Sequence, residues 1–433
     1  MSRAMRGATA LRRLCSRPRA PPPLVYLVAG EPSGDAIGAG LVRALRREYG
    51  APLEFAGVGG DAMAAAGVRS LFPMEELSVM GFAEVVTSLP RLAVRLRQTL
   101  GEIRQRRPRL VVGIDSKGFC LRLLRALAGE RRAAPAGAPP VSLVQYAAPS
   151  VWAFRDAERR AAQLAGTVDE LLLLLPFEQR HWRDAGVRTT VVGHPAFEPE
   201  AAEAAAPPIP AAADFRRAHG IADGGALLCL LPGSRRHEVA ATLPPMLGAV
   251  ALLRAEGGDA PPPRVVIPVA PKTRAAVESA LRWSGEEATL VDSSERAGAY
   301  ASAELAIACC GTVNVELALA GTPQLAVYRA SALTAFVVRW LLRPVIRYAT
   351  LPNVLAQLEG WERPELIPEL LFERCAARPI ADAARDLLTR PALRDAQAAA
   401  MKRALPRLAV ADASGAVVPP STLAARALVR YLP

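Results

Sequence analysis

The 433-residue chain is 51% hydrophobic and 22% charged, carries a net charge of +12 and has only 5% aromatic residues. Its length exceeds what one simple core needs and predicts two or three domains. Arginine supplies nearly all the positive charge, since the lysines are Lys117, Lys272 and Lys402; anionic lipid or phosphorylated substrates fit this charge, whereas a nucleic-acid partner is disfavoured because no Arg/aromatic interleaving is present.

Residues 1–23 carry Arg3, Arg6, Arg12, Arg13, Arg17 and Arg19 and no acid, so without them the net charge falls from +12 to +6. The segment reads as an organelle transit peptide, mitochondrial by preference with a plastid as the alternative, or else as a basic tail; it lacks the apolar core of a secretory signal. Residues 24–29, LVYLVA, are a continuous apolar run that predicts a buried strand. Gly30, Glu31, Pro32, Ser33, Gly34 and Asp35 follow, with a helix predicted over 36–49. This unit is not G-x-G-x-x-G, so the dinucleotide fingerprint is not met. Ser33 and Asp35 either cap the helix or hold a sugar hydroxyl.

A second strand over 53–57 leads through Gly59 and Gly60 to a helix from Asp61. Residues 74–100 then combine Val79, Met80, Phe82, Leu89 and Leu92 with Arg91, Arg95 and Arg97. They form either a surface for an acyl chain and anionic headgroups or a core helix with a solvated basic face. The strand over 110–114 ends at Asp115. Ligands in open α/β sheets bind beyond the carboxyl ends of strands. Asp115 is therefore a candidate to accept a proton from an attacking hydroxyl, with helix capping as the alternative. Strands over 141–146, 170–175 and 189–192 lead into Pro149-Ser150, Pro176-Phe177-Glu178 and Gly193-His194-Pro195. Six β/α repeats make a Rossmann-like domain over 24–197, followed by an Ala/Pro linker over 198–212.

A second Rossmann-like series occupies 213–363. Its strand over 226–231 opens onto Pro232-Gly233-Ser234-Arg235. Helix N–H groups beside an arginine make a diphosphate cradle, and Arg235 lies nearest the turn. Further strands are predicted over 265–269, 289–291, 305–310 and 324–328. The 305–310 strand meets Gly311, Thr312 and a helix over 312–320 closed by Gly321 and Pro323. That helix start is an anion site, and Glu316, one turn inside, suits ribose hydroxyls; an ordinary turn with a solvated Glu is the alternative. Residues 332–346, with Trp340, are either an interfacial element or a core helix with two snorkelling arginines. Residues 364–433 predict a helical tail. The fold class is thus α/β, with two Rossmann-like domains facing across a cleft. No run of roughly 18 apolar residues predicts a membrane span. The cysteines 229, 309 and 310 sit in apolar runs and read as buried thiols. The four histidines lack ligand spacing, and neither a metal nor another cofactor is predicted.

Several of these pieces stand together in order: AGEPSGD at 29–35, GVGGDAM at 57–63, LSVMGFAEV at 77–85, GIDSKGF at 113–119, APSVWAFR at 148–155, LPFE at 175–178, VGHP at 192–195, LLPGSRRHEV at 230–239, GTVNVELALAGTPQLAVYR at 311–329 and LPNVLA at 351–356. The set resembles the lipid-A-disaccharide synthases. That resemblance implies a GT-B glycosyltransferase at a membrane surface, with an acceptor and lipid domain first and a UDP-sugar domain second, and leaves a homodimer open. It implies inverting transfer of 2,3-diacylglucosamine from UDP-diacylglucosamine to the 6-hydroxyl of diacylglucosamine 1-phosphate, with no metal required. It places the general base at Asp115, nucleotide contacts at Ser234, Arg235, Gly311, Thr312, Glu316 and Asn353, and the N-terminal loop at Glu31, Ser33, Gly34 and Asp35. One departure is visible: bacterial members usually read IDAPDF where this chain reads IDSKGF, so Gly118 replaces a second carboxylate and Lys117 is new. The variant is similar to plant-type members. Two rival readings are an enzyme like UDP-GlcNAc 2-epimerase and a non-catalytic, membrane-associated nucleotide-sugar or lipid-binding protein.

Overall fold

The computed structural model describes residues 21–77, 82–135, 137, 141–198, 209–221, 225–258, 261–330 and 345–433, except for the side chains of 82–88 and 209–211. Val79, Met80, Trp340, the side chain of Phe82, residues 1–20 of the leader and residues 199–208 of the linker lie outside the described residues; the linker's last residues open the helix Ile209–Ala218.

Long runs of Val, Leu and Ile with no polar alternation can only be buried on both faces, which is the environment of a parallel sheet covered by helices. The structure has two such sheets. The first contains β1 (Leu24–Ala29), β2 (Glu54–Val58), β3 (Arg69–Ser70), β4 (Leu110–Ile114), β5 (Ser142–Tyr146), β6 (Glu170–Leu173) and β7 (Thr189–Val191), in the order β3-β2-β1-β4-β5-β6-β7. The second contains β8 (Leu227–Leu231), β9 (Arg264–Val269), β10 (Thr289–Asp292), β11 (Leu305–Cys309), β12 (Gln324–Tyr328) and β13 (Glu369–Leu371), in the order β10-β9-β8-β11-β12-β13. The pairings are parallel throughout, with Val25 opposite Leu110 in the first sheet and Leu305 opposite Leu228 in the second. Strands β1, β4, β8 and β11 are buried at every position.

Strand order reverses between β1 and β4 in the first sheet and between β8 and β11 in the second. A crevice opens at each reversal because the flanking helices leave toward opposite faces. The candidate residues at 30–35, 115–118, 232–235 and 310–312 follow these four strands, so the two crevices gather them.

Three differences from the sequence reading have clear causes. The first helix is Pro32–Tyr49, four residues longer at its start than predicted, because Pro32 occupies the first helical position, where its missing N–H costs nothing. Strand β3 is two residues long, and β13 follows an irregular stretch; neither has a periodic run to read. The expected helical tail is also not a separate unit. β13 is the edge of the second sheet, the helix Ala377–Thr389 buries Ile380, Ala384 and Leu387 against Leu243 and Leu247 of the helix Arg236–Ala255, and the helix Pro420–Val429 returns to the first domain, where Ala424, Ala425 and Leu428 join the core around Leu41 and Leu45. The helix Arg236–Ala255 is long and apolar enough to cross a membrane, but half of it is buried in this core. A smaller apolar cluster of Leu175, Ala196, Val315, Leu355 and Leu408 joins the two domains at one side of the cleft.

Candidate active site

The carboxyl end of β4 is held in an unusual backbone conformation. Asp115 and Ser116 have φ values of 49° and 28°, and Ala147, after β5, has 66°. Non-glycine residues pay a conformational cost there, and such strain persists only where the surroundings over-determine it. Here buried Gln145 donates to Asp115 O at 3.0 Å, and Asp115 N–H donates to Tyr146 O at 2.9 Å. Gly30 is required beside this loop, since a Cβ at that position would lie 2.4 Å from Ser116 Oγ. The close approach brings Glu31 near enough to Asp115 for the Asp115 charge to raise the Glu31 pKa, although burial raises it more and Arg235 opposes both.

A cavity of about 450 Å³ opens over these strand ends. Asp115, Lys117, Ser150, Glu178 and His194 come to it from the first domain, Arg296, Thr312 and Glu316 from the second, and Ser33 from the first helix. A neighbouring cavity of about 600 Å³ is lined by Ser33, Ser234, Arg235, Glu238, Tyr300, Gly311, Thr312 and Glu316, among others. The two share Ser33, Arg296, Thr312 and Glu316, so the cleft has one chamber at the first sheet and a second at the β8/β11 crevice.

Ion pairs organise the second chamber. Arg235 Nη2 lies 2.5 Å from Glu31 Oε2, across the cleft, and Nη1 lies 2.9 Å from Glu238 Oε1. Arg235 Nε is buried with no partner. The backbone N–H groups of Ser234 and Arg235 donate to Glu238 Oε2 at 2.9 and 3.2 Å. Carboxylates thus occupy donors of the kind that a diphosphate would use. On the facing side, Gly311 N–H donates to Asn314 Oδ1 at 2.9 Å, which fixes the turn into the helix Val313–Ala320. Glu316 Oε2 accepts from Arg296 Nε at 3.2 Å and from the Tyr300 hydroxyl at 3.4 Å, which orients it at the junction of the chambers.

Three side chains that the sequence reading did not select contribute to the first chamber. Glu178 is 3% exposed, and burial pushes its carboxyl up to about 7, while Trp152 Nε1, donating at 2.8 Å, and Lys117 oppose the shift. His194 Nδ1 accepts from Ala196 N–H at 3.2 Å, so the ring proton sits on Nε2; burial lowers its pKa to about 4 and keeps the ring neutral. Arg296 is the third. Glu178 and His194 follow β6 and β7 in PFE and GHP loops, so the strand-end rule that found Asp115 would also have found them.

Three expected contacts have other roles. Asp35 is 6% exposed and accepts from the N–H groups of Gly60, Ala62 and Met63 at 2.8, 2.9 and 3.0 Å; it caps the helix Asp61–Ala65 and does not line either chamber. Gly34 is buried and lines neither chamber, with Ala29 and Ile114 at 3.4 Å from where a Cβ would stand. Asn353 is fully buried. It donates to Ile367 O and Glu369 Oε1 at 2.7 and 2.8 Å and accepts from the N–H groups of Leu366 and Ile367 at 2.8 and 2.9 Å, tying the helix Leu351–Leu358 to β13. A side chain with every hydrogen-bonding group so committed is not presented to a ligand. Among the described residues, no three His, Cys, Asp or Glu side chains converge as a metal set.

The family profile described as lipid-A-disaccharide synthetase matches residues 25–408. The chain is 37% identical over 409 residues to a lipid-A-disaccharide synthase of Paramagnetospirillum magneticum, covering 94% of this chain and 97% of the relative. It is 38% identical to that of Rhodospirillum centenum, covering 95% of each. Among solved structures, UDP-GlcNAc 2-epimerase from Neisseria meningitidis superposes with a TM-score of 0.55 at 9% identity, over 94% of this chain and 98% of that one. A glycosyltransferase from Rickettsia africae superposes at 0.51 and 8% identity, over 94% and 97%. At these identities the structural likeness establishes the two-domain GT-B-like α/β fold and nothing finer.

Proposed function

We propose a reaction from one premise: the chain belongs to the lipid-A-disaccharide synthase family. It is a glycosyltransferase that joins two acylated glucosamine units. 2,3-Diacylglucosamine passes with inversion from its UDP conjugate to the 6-hydroxyl of 2,3-diacylglucosamine 1-phosphate, giving a β-1,6 disaccharide 1-phosphate and UDP. The observation that carries this reading is that Asp115, from the first sheet, and Glu316, from the second, line one chamber. The Asp115 carboxylate takes the 6-hydroxyl proton as the new C1–O6 bond forms. The bond from C1 to the diphosphate oxygen breaks, and its electron pair leaves with UDP. Arg235 and the N–H groups after β8 and β11 meet that charge, once Arg235 has exchanged a carboxylate partner for phosphate. Glu316, held by Arg296 and Tyr300, accepts from the ribose hydroxyls.

The helix Phe82–Arg106 exposes Leu89 and Val94. These residues, together with Arg91 and Arg97, support a peripheral contact with an anionic membrane surface. The leader sequence supports delivery to an organelle, which a fluorescent fusion of residues 1–23 tests; a diffuse signal would exclude it. Homodimerisation is checked by light scattering.

The reaction is tested by incubating the purified chain with UDP-diacylglucosamine and diacylglucosamine 1-phosphate and following products by mass spectrometry. Disaccharide phosphate and UDP are expected in equal amounts. Their absence from a folded protein that instead converts UDP-GlcNAc to its C2 epimer would replace the synthase reading.

A further inference from the structure

Beside the first chamber lies a smaller cavity of about 320 Å³, between the start of the helix Lys117–Ala133 and the loop after β5. Its described lining includes three cations, Lys117, Arg125 and Arg160, and no carboxylate. Lys117, Leu121 and Arg125 recur every four residues and so share one helix face. Leu121 and Phe154 supply apolar wall, and Ser150 a hydroxyl. Arg160 stacks 4.2 Å over the Phe154 ring and is paired with Asp156 at 2.6 Å, which fixes its position while partly neutralising it.

Lys117 also lines the first chamber with Asp115. Its Nζ lies 3.5 Å from Ser150 Oγ, at the boundary between the two spaces. Ser116 makes no side-chain cap to the helix, its carbonyl takes the N–H groups of Phe119 and Cys120, and a Cβ at Gly118 would meet nothing within 4 Å, so the helix start beside Lys117 is open to a ligand. A cavity of this size, charge and apolar backing fits a lipid-borne phosphomonoester.

We propose that this cavity is the subsite for the phosphate of the acceptor, with Lys117 as the residue that ties it to the reacting end. The inference rests on the reaction above, in which the acceptor carries its phosphate on C1 and its nucleophile on C6, the carbon attached to C5, so the two groups flank the ring oxygen of one sugar. Asp115 and Lys117 stand two positions apart on one loop, so a ring lying along that loop presents the 6-hydroxyl to the carboxylate and the phosphate to the ammonium group. Arg125 and Arg160 complete the charge. Gly118 leaves the approach open and brings no second negative charge to it.

The test compares wild type, Lys117→Met and Arg125→Gln on two acceptors, diacylglucosamine 1-phosphate and the same lipid without phosphate, with UDP affinity measured in parallel. For Lys117→Met, kcat/KM on the phosphorylated acceptor is expected to fall roughly 10- to 100-fold, mainly through KM, as for loss of a charge-assisted hydrogen bond. The more exposed Arg125→Gln is expected to lose about 5-fold. For both variants the loss on the dephosphorylated acceptor should be clearly smaller than on the phosphorylated one, and UDP affinity should stay at the wild-type value. Equal losses on both acceptors, or none on either, would overturn the subsite. If wild type makes no disaccharide, binding of the two acceptors in detergent separates the claims. A preference for the phosphorylated lipid that is lost in the variants supports the subsite while the reaction fails, and the lack of any preference overturns the subsite. Phosphatidic acid in mixed micelles that displaces the acceptor as well as its own phosphorylated form does would mean a general lipid-phosphate site and overturn the acceptor assignment.

Discussion

Arg235 of the second domain holds Glu31 of the first at 2.5 Å, closing an ion pair across the cleft where both side chains are 22% exposed. The arginine proposed to meet the leaving diphosphate is thus already engaged by a carboxylate from the opposite sheet. A ligand phosphate must compete with Glu31 and Glu238 for the same guanidinium. Two opposite results follow from the two ends of this pair. Arg235→Ala should weaken UDP binding roughly 10- to 100-fold, the loss of a charge-assisted contact. Glu31→Gln should tighten it by up to about 5-fold, because the competitor has lost its charge. Calorimetric titration with UDP measures both, and weaker binding by Glu31→Gln would mean that Glu31 contacts the nucleotide itself.

Asp115→Asn preserves the shape of the strained β4 loop and removes the proposed base. Turnover should fall by about 10²- to 10⁴-fold with UDP affinity unchanged. Single-turnover rates with pre-bound donor check this. A variant that keeps near-normal turnover would require the proton to go elsewhere, and Glu178 and His194 are two of the other titratable groups that line that chamber.

Glu178 makes stability depend on pH. Its carboxyl is raised from 4.5 to about 7 in the fold. Between those values the folded chain holds a proton that the unfolded chain has released, so stability is fully present below about 4.5, declines as pH rises and levels off above about 7. The decline is about 3 kcal/mol at most for a shift of this size. Glu178→Gln keeps an acceptor for Trp152 Nε1 and should flatten that part of the curve. Urea unfolding at pH 5 and pH 8 gives the comparison, and parallel curves for the two proteins would contradict the assignment.

Asn353 separates structure from binding. Asn353→Ala leaves the buried N–H of Ile367 without its acceptor and removes one donor each from Ile367 O and Glu369 Oε1, and should cost about 2–3 kcal/mol in unfolding free energy. UDP affinity of the folded fraction should match wild type. A stable variant with weak UDP binding would restore Asn353 to the nucleotide site.

Much of this arrangement is legible in the sequence because parallel strands announce themselves. Runs such as LVYLVA and LVVGI have no polar face, and the residues just after them are at sheet ends by construction. That logic reaches Asp115, Arg235 and Glu316 without coordinates. It fails where a side chain's partner is distant in sequence. Asp35 caps a helix that starts 26 residues later, and Asn353 bonds β13, a strand of three residues with no periodic signal. Motif position alone made both look like ligand contacts. Pro32 marked the true start of the first helix, but the surrounding glycines read as loop. The Arg235–Glu31 pair spans 204 positions and depends on how two sheets face each other, which no local pattern encodes.

The most direct measurement is a crystal structure of the chain with UDP bound. The account predicts the diphosphate at the β8/β11 crevice, with Arg235 turned from Glu31 onto a phosphate oxygen, the ribose hydroxyls on Glu316, and the chamber at Asp115 left open for the acceptor. UDP bound elsewhere, or bound there with the Arg235–Glu31 pair intact and Glu316 out of reach of the ribose, would contradict it.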